Sequence, residues 1–437
     1  MEYLVLGAFC TGLILCFSLK LSILFGLVFG WFLFTWYGRR RHFSWHELIQ
    51  MSLNGIRTVH NILIMFFLIG MMTALWRMAG TIPFIVCHAA RLIRPSVFLL
   101  MTFLLNSGLS FLTGTSFGTA ATMGVICAAM GASMHVSPVL TGGAVLSGAF
   151  FGDRCSPVST SALLVAAVTE TDIYDNIRRM IITALVPFLL ACLIYGALGF
   201  MLPGEGTVMD LNVLFARTFR LSWITVIPAL TILVLALCRV NVKIAMTASI
   251  LTAIPICLFM QGVSGTQMLA ACLTGYKPKD AQLAVMMSGG GIISMVRAAC
   301  IVCISSAYSD ILNKTGLLDG AKKAVAAAAH RTTAFAAVFL CSVVSGMISC
   351  NQTLTILLTN QLCGDLYTDR GQLAVDLEDT AVVIAPLIPW SIAGAVPLAT
   401  VDAPFTAIFA SFYLLILPLY RLLLSVRAGT DSMQRGV

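Results

Sequence analysis

Long apolar runs follow one another along this chain, and few charged residues interrupt them. Examples are 21–37, 62–76, 180–202, 221–238 and 405–424. A helix that crosses a bilayer needs roughly 20 mostly apolar residues. Inside lipid every backbone N–H and C=O must be satisfied by the element itself, so only helices and closed barrels span. A barrel would show alternating segments of about 10 residues, and none are evident. The chain therefore reads as an all-α polytopic membrane protein.

Composition supports this. Of 437 residues, 59% are hydrophobic and 10% charged, whereas soluble domains are about a quarter charged. The first apolar run starts at Tyr3 with no small-residue cleavage pattern after it, so it reads as a first span and not as a removed signal. The fourteen cysteines sit mostly singly in apolar runs, as Cys10, Cys127, Cys192 and Cys257 do, where they act as small hydrophobes. Cys300 and Cys303 have CxxC spacing without a second pair. The net charge of +8 belongs to loops beside spans, not to a nucleic-acid site.

Basic residues cluster at Arg39-Arg40-Arg41, Arg178-Arg179, Arg239 with Lys243, Lys314, Lys322-Lys323, and Arg421 with Arg427. The positive-inside rule puts these loops in the cytoplasm, and the loop holding Glu205 and Asp210 outside. Arg77, Arg91, Arg94, Lys277 and Lys279 fit that assignment less well.

The two halves share a register. Met51-Ser52 and Gly55-Ile56 pair with Met287-Ser288 and Gly291-Ile292 at a separation of 236, and the same offset pairs Gly80 with Gly316 and Thr119 with Thr355. Each half is expected to hold three spans, a connector, a re-entrant hairpin, a broken span and a last span. In the first repeat, 1–202, these fall at 3–19, 21–37, 59–77, 82–94, 95–130, 139–168 and 176–201. In the second, 218–437, they fall at 218–237, 243–260, 284–308, 317–331, 332–362, 380–400 and 404–424, with a short tail. Residues 1–94 and 218–331 form the scaffold parts. Residues 95–202 and 332–425 hold the hairpins and broken helices, and 203–217 is an external loop. Five crossings per half invert the second half, and both termini fall in the cytoplasm. Inverted repeats of this kind place a transport site at the midplane.

Two stretches in each half are unsuited to face lipid. The hairpin tips read Leu112-Thr113-Gly114-Thr115-Ser116-Phe117-Gly118-Thr119 and Ile348-Ser349-Cys350-Asn351-Gln352-Thr353-Leu354-Thr355. The broken spans contain Gly152-Asp153-Arg154-Cys155-Ser156-Pro157-Val158-Ser159-Thr160 and Pro386-Leu387-Ile388-Pro389-Trp390-Ser391. Proline costs about 3 kcal/mol inside a helix, and freed carbonyls are tolerated only where they line a polar cavity. Oxygen-rich breaks suit a small hard cation, and half-helix N–H groups suit an anion. The candidate binding residues are Thr113, Thr115, Ser116, Asp153, Ser156, Ser159, Thr160, Asn351, Thr353, Trp390 and Ser391, with Asp153 a Na+ or proton site. The plain alternative is packing, since Gly26/Gly30, Gly114/Gly118 and Gly148/Gly152 have the small-xxx-small spacing of helix contacts.

A carboxylate in a membrane segment is costly and usually functional. For Asp153 the structural alternative is a pair with Arg154 or a half-helix cap. Asp402 reads as an N-cap ahead of Pro404. Asp310 reads as a span end facing water, and the acids before Arg178 as a helix start. His60, His88 and His135 are scattered, and no metal-ligand spacing, phosphate loop or nucleophile elbow appears. An enzyme is not expected, and no cofactor is implied.

The stretch from Ser147 to Met180, the tip 113–119 and the segment 386–395 resemble the NhaC family of Na+/H+ antiporters. The resemblance implies cation-coupled antiport by alternating access, generally Na+ against H+, with relatives exchanging organic acids. It places the chain in a bacterial-type inner membrane. A homodimer through the scaffold spans also follows from it. By position, Asp153, Ser156, Pro157, Ser159, Thr115, Ser116, Trp390, Thr171, Asp172 and Arg178 match family motifs. One position departs: the family pattern carries an acid after the second serine, and here that residue is Thr160. The second reading is a Na+- or H+-coupled carrier of a small organic acid or amino acid.

Overall fold

A computed structural model describes residues 2–434 apart from 20, 93, 158, 202–214, 216, 239, 279, 281–282, 285–286 and 318–332. The expected external loop, except Phe215 and Arg217, and the connector at 317–331, except Leu317, lie outside the described residues.

Helices joined by turns and short irregular links make up the described residues, with one isolated bridge between Tyr276 and Gly289. In chain order the helices are α1 (Glu2–Ser18), α2 (Ile23–Arg40), α3 (Trp45–Thr58), α4 (His60–Met78) and α5 (Thr81–Leu92). Then come α6 (Pro95–Thr113), α7 (Ser116–Ser133), α8 (Pro138–Cys155), α9 (Thr160–Thr169) and α10 (Ile173–Met201). The second half holds α11 (Ile227–Leu237), α12 (Val242–Met260), α13 (Gly265–Thr274) and α14 (Ile292–Lys314). It ends with α15 (Ala334–Ser349), α16 (Gln352–Cys363), α17 (Arg370–Leu387), α18 (Ile392–Thr400) and α19 (Phe412–Gln434).

Five helices are long and apolar enough to cross a membrane: α6, α7, α10, α12 and the Ile292–Leu312 part of α14. Counting two bent pairs as single spans, α3 with α4 and α17 with α18, raises this to seven. The chain is an integral membrane protein on this basis. Ten crossings are expected from the sequence, none of them at 95–130, whereas by length and composition α6 and α7 each qualify and short apolar helices such as Leu4–Cys16 and Ala334–Ser349 do not.

The helix ends follow local chemistry. Ser44 and Glu47 form a reciprocal capping box that starts α3, and Asp172 accepts from the N–H groups of Tyr174 and Asp175 to start α10. Helix α3 is an element the sequence reading does not include. The third expected span starts one residue past its end.

The 236-residue register reappears in local geometry. Gly114 ends α6 with φ 64°, and Cys350 ends α15 with φ 57°. Thr115 and Asn351 then cap the following helices, accepting from the N–H groups of Gly118 and Leu354. Thr113 and Thr119 hydroxyls lie 3.4 Å apart, and those of Ser349 and Thr355 lie 2.6 Å apart. The arms differ in length. Helices α6 and α7 have 19 and 18 residues, whereas α15 and α16 have 16 and 12. At 1.5 Å per residue, α16 spans about 18 Å, short of a ~30 Å hydrocarbon core.

Helices α6 and α8 pack backbone to backbone. A Cβ on Gly152 would fall 2.1 Å from the amide nitrogen of Phe111, and one on Gly148 would fall 2.6 Å from the carbonyl oxygen of Phe103. The Ser110 hydroxyl donates to the Ala149 carbonyl across this seam. Gly148 and Gly152 thus serve close packing. The contact fixes Asp153, one residue on, against the end of α6.

Candidate functional site

Four interruptions meet at one cavity of about 800 Å³. Gly114 and Thr115 bring the first turn to it, and Asn351 and Gln352 bring the second. Asp153 and Thr160 line it from the first break, and Ile392 and Ala393 from the second. Its outer part is lined by α3, α4 and α14 and by the chain leading into α12. Exposed Asn54 and Asn241 lie there, with Lys243 and Asp310.

Both broken spans re-form as capped half-helices. Ser156 ends α8, and Ser159 starts α9, its hydroxyl accepting from the N–H groups of Ser161 and Ala162. Ser391 starts α18 by accepting from the Ala393 N–H. The α17 to α18 step bends by 56°, where Pro386 and Pro389 prevent a continuous helix. The Trp390 indole donates to the Met347 carbonyl over 2.9 Å, and the Ile392 N–H to the Cys350 carbonyl over 2.9 Å. Those two bonds tie the second break to the turn between α15 and α16.

Asp153 is the ionisable centre, and it is 3% exposed. Its Oδ1 accepts from the Ser159 hydroxyl at 2.9 Å. Its Oδ2 accepts from Gln352 Nε2 at 3.3 Å and faces the Ser116 hydroxyl at 3.5 Å. The Ser161 hydroxyl donates to the Asp153 carbonyl. All of these donors are neutral. The alternative pairing of Asp153 with Arg154 is overturned: the Arg154 guanidinium bonds the Asp379 carboxylate, the Thr183 hydroxyl and the Tyr413 hydroxyl.

Seven expected site residues line the cavity: Thr113, Thr115, Ser116, Asp153, Thr160, Asn351 and Thr353. Ser156, Ser159, Trp390 and Ser391 do not line it. They are buried and hold the breaks in shape, and Ser159 does so by gripping Asp153.

The sequence reading misses a charged cluster behind the cavity. Arg421 donates to Asp379 and to Asp376, each at 2.8 Å. Asp376 also accepts from the Tyr367 hydroxyl and the Gln372 amide, both at 2.7 Å. Glu378 stands beside them, buried, with neither carboxylate oxygen hydrogen-bonded among the described residues. Arg421 is therefore no loop flank; it sits inside α19 with its side chain 18% exposed. The acids Asp376, Glu378 and Asp379 lie in an apolar frame, Leu373-Ala374-Val375 before and Ala381-Val382-Val383 after. That is the sequence signal for them.

Two further expectations change. Asp402 caps no helix. It has φ 53° and pairs with buried Arg77 at 2.9 Å. Asp310 pairs with Lys314 at 2.8 Å and lines the cavity. Among the described residues no group of three or more His, Cys, Asp or Glu could hold a metal ion. Oxygens able to hold a cation at Asp153 are its own carboxylate and the Ser116 hydroxyl, both on the cavity wall.

A membrane-embedded helical protein with helix breaks converging on a buried carboxylate is of the secondary-transporter type. The sequence profile of the Na+/H+ antiporter family matches residues 1–169 and 148–426. The chain belongs to that family, and its function is secondary active antiport of a cation against protons. It is 27% identical over 405 residues to the malate-2H(+)/Na(+)-lactate antiporter of Bacillus subtilis, covering 89% of this chain and 86% of that one. It is 26% identical over 370 residues to the Na(+)/H(+) antiporter NhaC of Alkalihalophilus pseudofirmus, covering 82% and 80%. It is 26% identical over 391 residues to the arginine/ornithine antiporter ArcD of Halobacterium salinarum, covering 86% and 80%.

Proposed function

We propose that this protein exchanges Na+ for H+ at Asp153 by alternating access. The observation that carries the reading is a buried carboxylate on a broken helix, at the wall of a polar cavity, held by neutral donors alone. With no arginine or lysine of its own, Asp153 is balanced by a cargo charge. Na+ and H+ then compete for it, which couples their movements. Ser116, which lines the cavity, supplies a further oxygen to Na+, a hard cation that suits such ligands.

The two halves act as inverted repeats with boundaries at 1–202 and 218–437. Matched turns at Gly114 and Cys350, with matched caps at Thr115 and Asn351, support this reading. The hairpins and broken helices at 95–202 and 332–425 move as the transport part against the scaffold, and the scaffold forms the face of a homodimer. The termini lie in the cytoplasm of a bacterial-type inner membrane. The cavity mouth, beside Lys243 and Asp310, faces the same side.

A cavity of about 800 Å³ favours a second reading, because it is of the size that holds small organic molecules. Two capped half-helices, α7 and α16, point their N-termini at it and suit a carboxylate. The malate/lactate and arginine/ornithine antiporters among the relatives are consistent with such a cargo.

Sealed proteoliposomes with an internal pH indicator separate the two. Na+ added outside is expected to drive proton movement, abolished by Asp153→Asn. No Na+-dependent pH change from folded wild-type protein would sink the first reading. Uptake of labelled malate, lactate or arginine in the same vesicles would establish the second.

A further inference from the structure

The buried charges behind the cavity do not cancel. Arg154 and Arg421 face Asp379 and Asp376, two against two, and all four are joined by charge-assisted bonds. Two carboxyls remain. Asp153 has neutral donors. Glu378 has none: it is 1% exposed and neither oxygen finds a hydrogen bond among the described residues.

The charged groups around Glu378 can be named helix by helix. From α8 come Arg154 and Asp153, both within its electrostatic reach. From its own helix come Asp376 and Asp379, and from α19 comes Arg421, which is committed to those two aspartates. The Arg154 Nη atoms are committed to Asp379, Thr183, Tyr413 and the Met180 carbonyl. Its Nε makes no hydrogen bond to Glu378 or to any other described residue. An ionised carboxylate without donors is far costlier to bury than a neutral carboxylic acid. Glu378 also opens the π-helical turn Glu378–Val382, a wide turn often found at functional positions. Asp153 lines the cavity and Glu378 does not, so Glu378 sits behind it.

We propose that Glu378 is a second cargo carboxyl, holding a proton in the state seen here and releasing it when Na+ settles at Asp153. This rests on the Na+/H+ reading above. In the step, the carboxyl O–H bond breaks, and its electron pair stays on the Glu378 oxygen. The proton leaves to cavity water, because the Asp153 carboxylate then holds Na+. The new carboxylate offsets the incoming Na+ charge, and protonation from the opposite side resets it. Glu378 thereby supplies the second acid that the family pattern puts at the position of Thr160.

The test uses purified full-length protein in lightly buffered detergent. It is given pulses of Na+, with Li+ and choline as controls. A pH indicator reads protons released, and radiolabelled sodium reads ions bound. Wild type is expected to release protons on Na+ binding. Glu378→Gln, which mimics the neutral acid, is expected to keep Na+ binding and release about one proton fewer per ion. The slope of its log Kd against pH falls by about one. Unchanged release and slope in Glu378→Gln, with Na+ still bound, overturn the proposal. No release from wild type overturns the Na+/H+ reading itself. Should Glu378→Gln not fold, infrared difference spectra of wild type decide. A protonated carboxyl band that disappears with Na+, and that shifts in Glu378→Asp, supports the proposal. A wild-type spectrum without such a band refutes it.

Discussion

Gln352 Nε2 sits 3.3 Å from Asp153 Oδ2 and also faces the Val382 carbonyl at 3.4 Å. One side chain at the second hairpin turn therefore touches the broken span of the first half and the π-helical turn that Glu378 opens. The two halves of the chain meet at the carboxylate through a neutral amide.

Removing that amide leaves Asp153 one donor poorer. A hydrogen bond to a charged group contributes about 1.5–3 kcal/mol. Gln352→Ala is expected to tighten the hold of a proton on Asp153, to weaken apparent Na+ affinity by about tenfold or more, and to lower the melting temperature modestly. Na+ titration of exchange in proteoliposomes measures this. An unchanged half-saturation value would mean that Gln352 leaves Asp153 unaffected.

Arg154 and Asp379 are both fully buried. Losing one partner strands a charge, and breaking such a pair costs about 3–5 kcal/mol. Asp379→Asn and Arg154→Met are each expected to lower the unfolding temperature in detergent markedly. The double variant is expected to recover part of the loss. Equal melting of all variants and wild type would contradict the pairing.

Much of this arrangement is legible from residue order. The turns at Gly114 and Cys350 fall on the 236-residue register, and the breaks around Pro157 and Pro389 follow from proline and glycine chemistry. The acids of α17 are not recovered the same way. Asp376, Glu378 and Asp379 interrupt the apolar run, so the expected span starts at Thr380, past all three. Their cations come from distant parts of the chain: Arg154 is 225 residues away in sequence from Asp379, and Arg421 is 42 away. Local pattern carries no trace of such pairing. Helix α3 is overlooked for another reason. Its polar face makes it amphipathic, and a search for continuous apolar runs passes over it.

Arg179 bonds Asp369 at 3.0 Å, joining the start of α10 to the cap of α17, with both side chains exposed. The Arg179 side-chain bond, backbone N–H bonds from Gln372 and Gly371, and the arginine charge hold the Asp369 carboxyl below its ordinary value. A carboxyl lowered on folding stabilises the folded state above its unfolded value. The contribution fades as pH falls through the folded value. Asp369→Asn is expected to narrow the melting-temperature difference from wild type as acid is added, with the difference largest near neutrality. Since the pair is exposed, the effect is small and falls with salt. A difference that grows on acidification would contradict the assignment.

Arg77 on α4 and Asp402 beyond α18 pair at the end of α4 remote from the cavity, which its first residues line. In the alternating-access reading this pair closes the far side. Asp402→Asn is expected to ease opening there and change the Na+ half-saturation value on one side more than on the other. The exchanged pair Arg77→Asp with Asp402→Arg is expected to move it back toward wild type. Right-side-out and inside-out vesicles measure the two sides separately. Equal effects on both sides would leave the pair a structural tie alone.

Thr160 lines the cavity as the first residue of α9, one position past the Ser159 cap. A carboxylate suits the first turn of a helix, where the backbone dipole favours negative charge by about 0.3–1 kcal/mol. The side chain is exposed, so a slightly larger acid is accommodated without displacing the core. Thr160→Asp restores the family acid beside Asp153 and Ser159. Two neighbouring carboxylates raise each other's hold on protons, and both attract Na+. The expected result is tighter Na+ binding at alkaline pH and a steeper pH dependence of exchange, with the melting temperature little changed. Proton release per Na+ bound, read across a pH series against wild type, measures it. A variant that folds, binds Na+ and shows the wild-type pH dependence would mean that position 160 has no part in proton coupling, even though it faces the same cavity as Asp153.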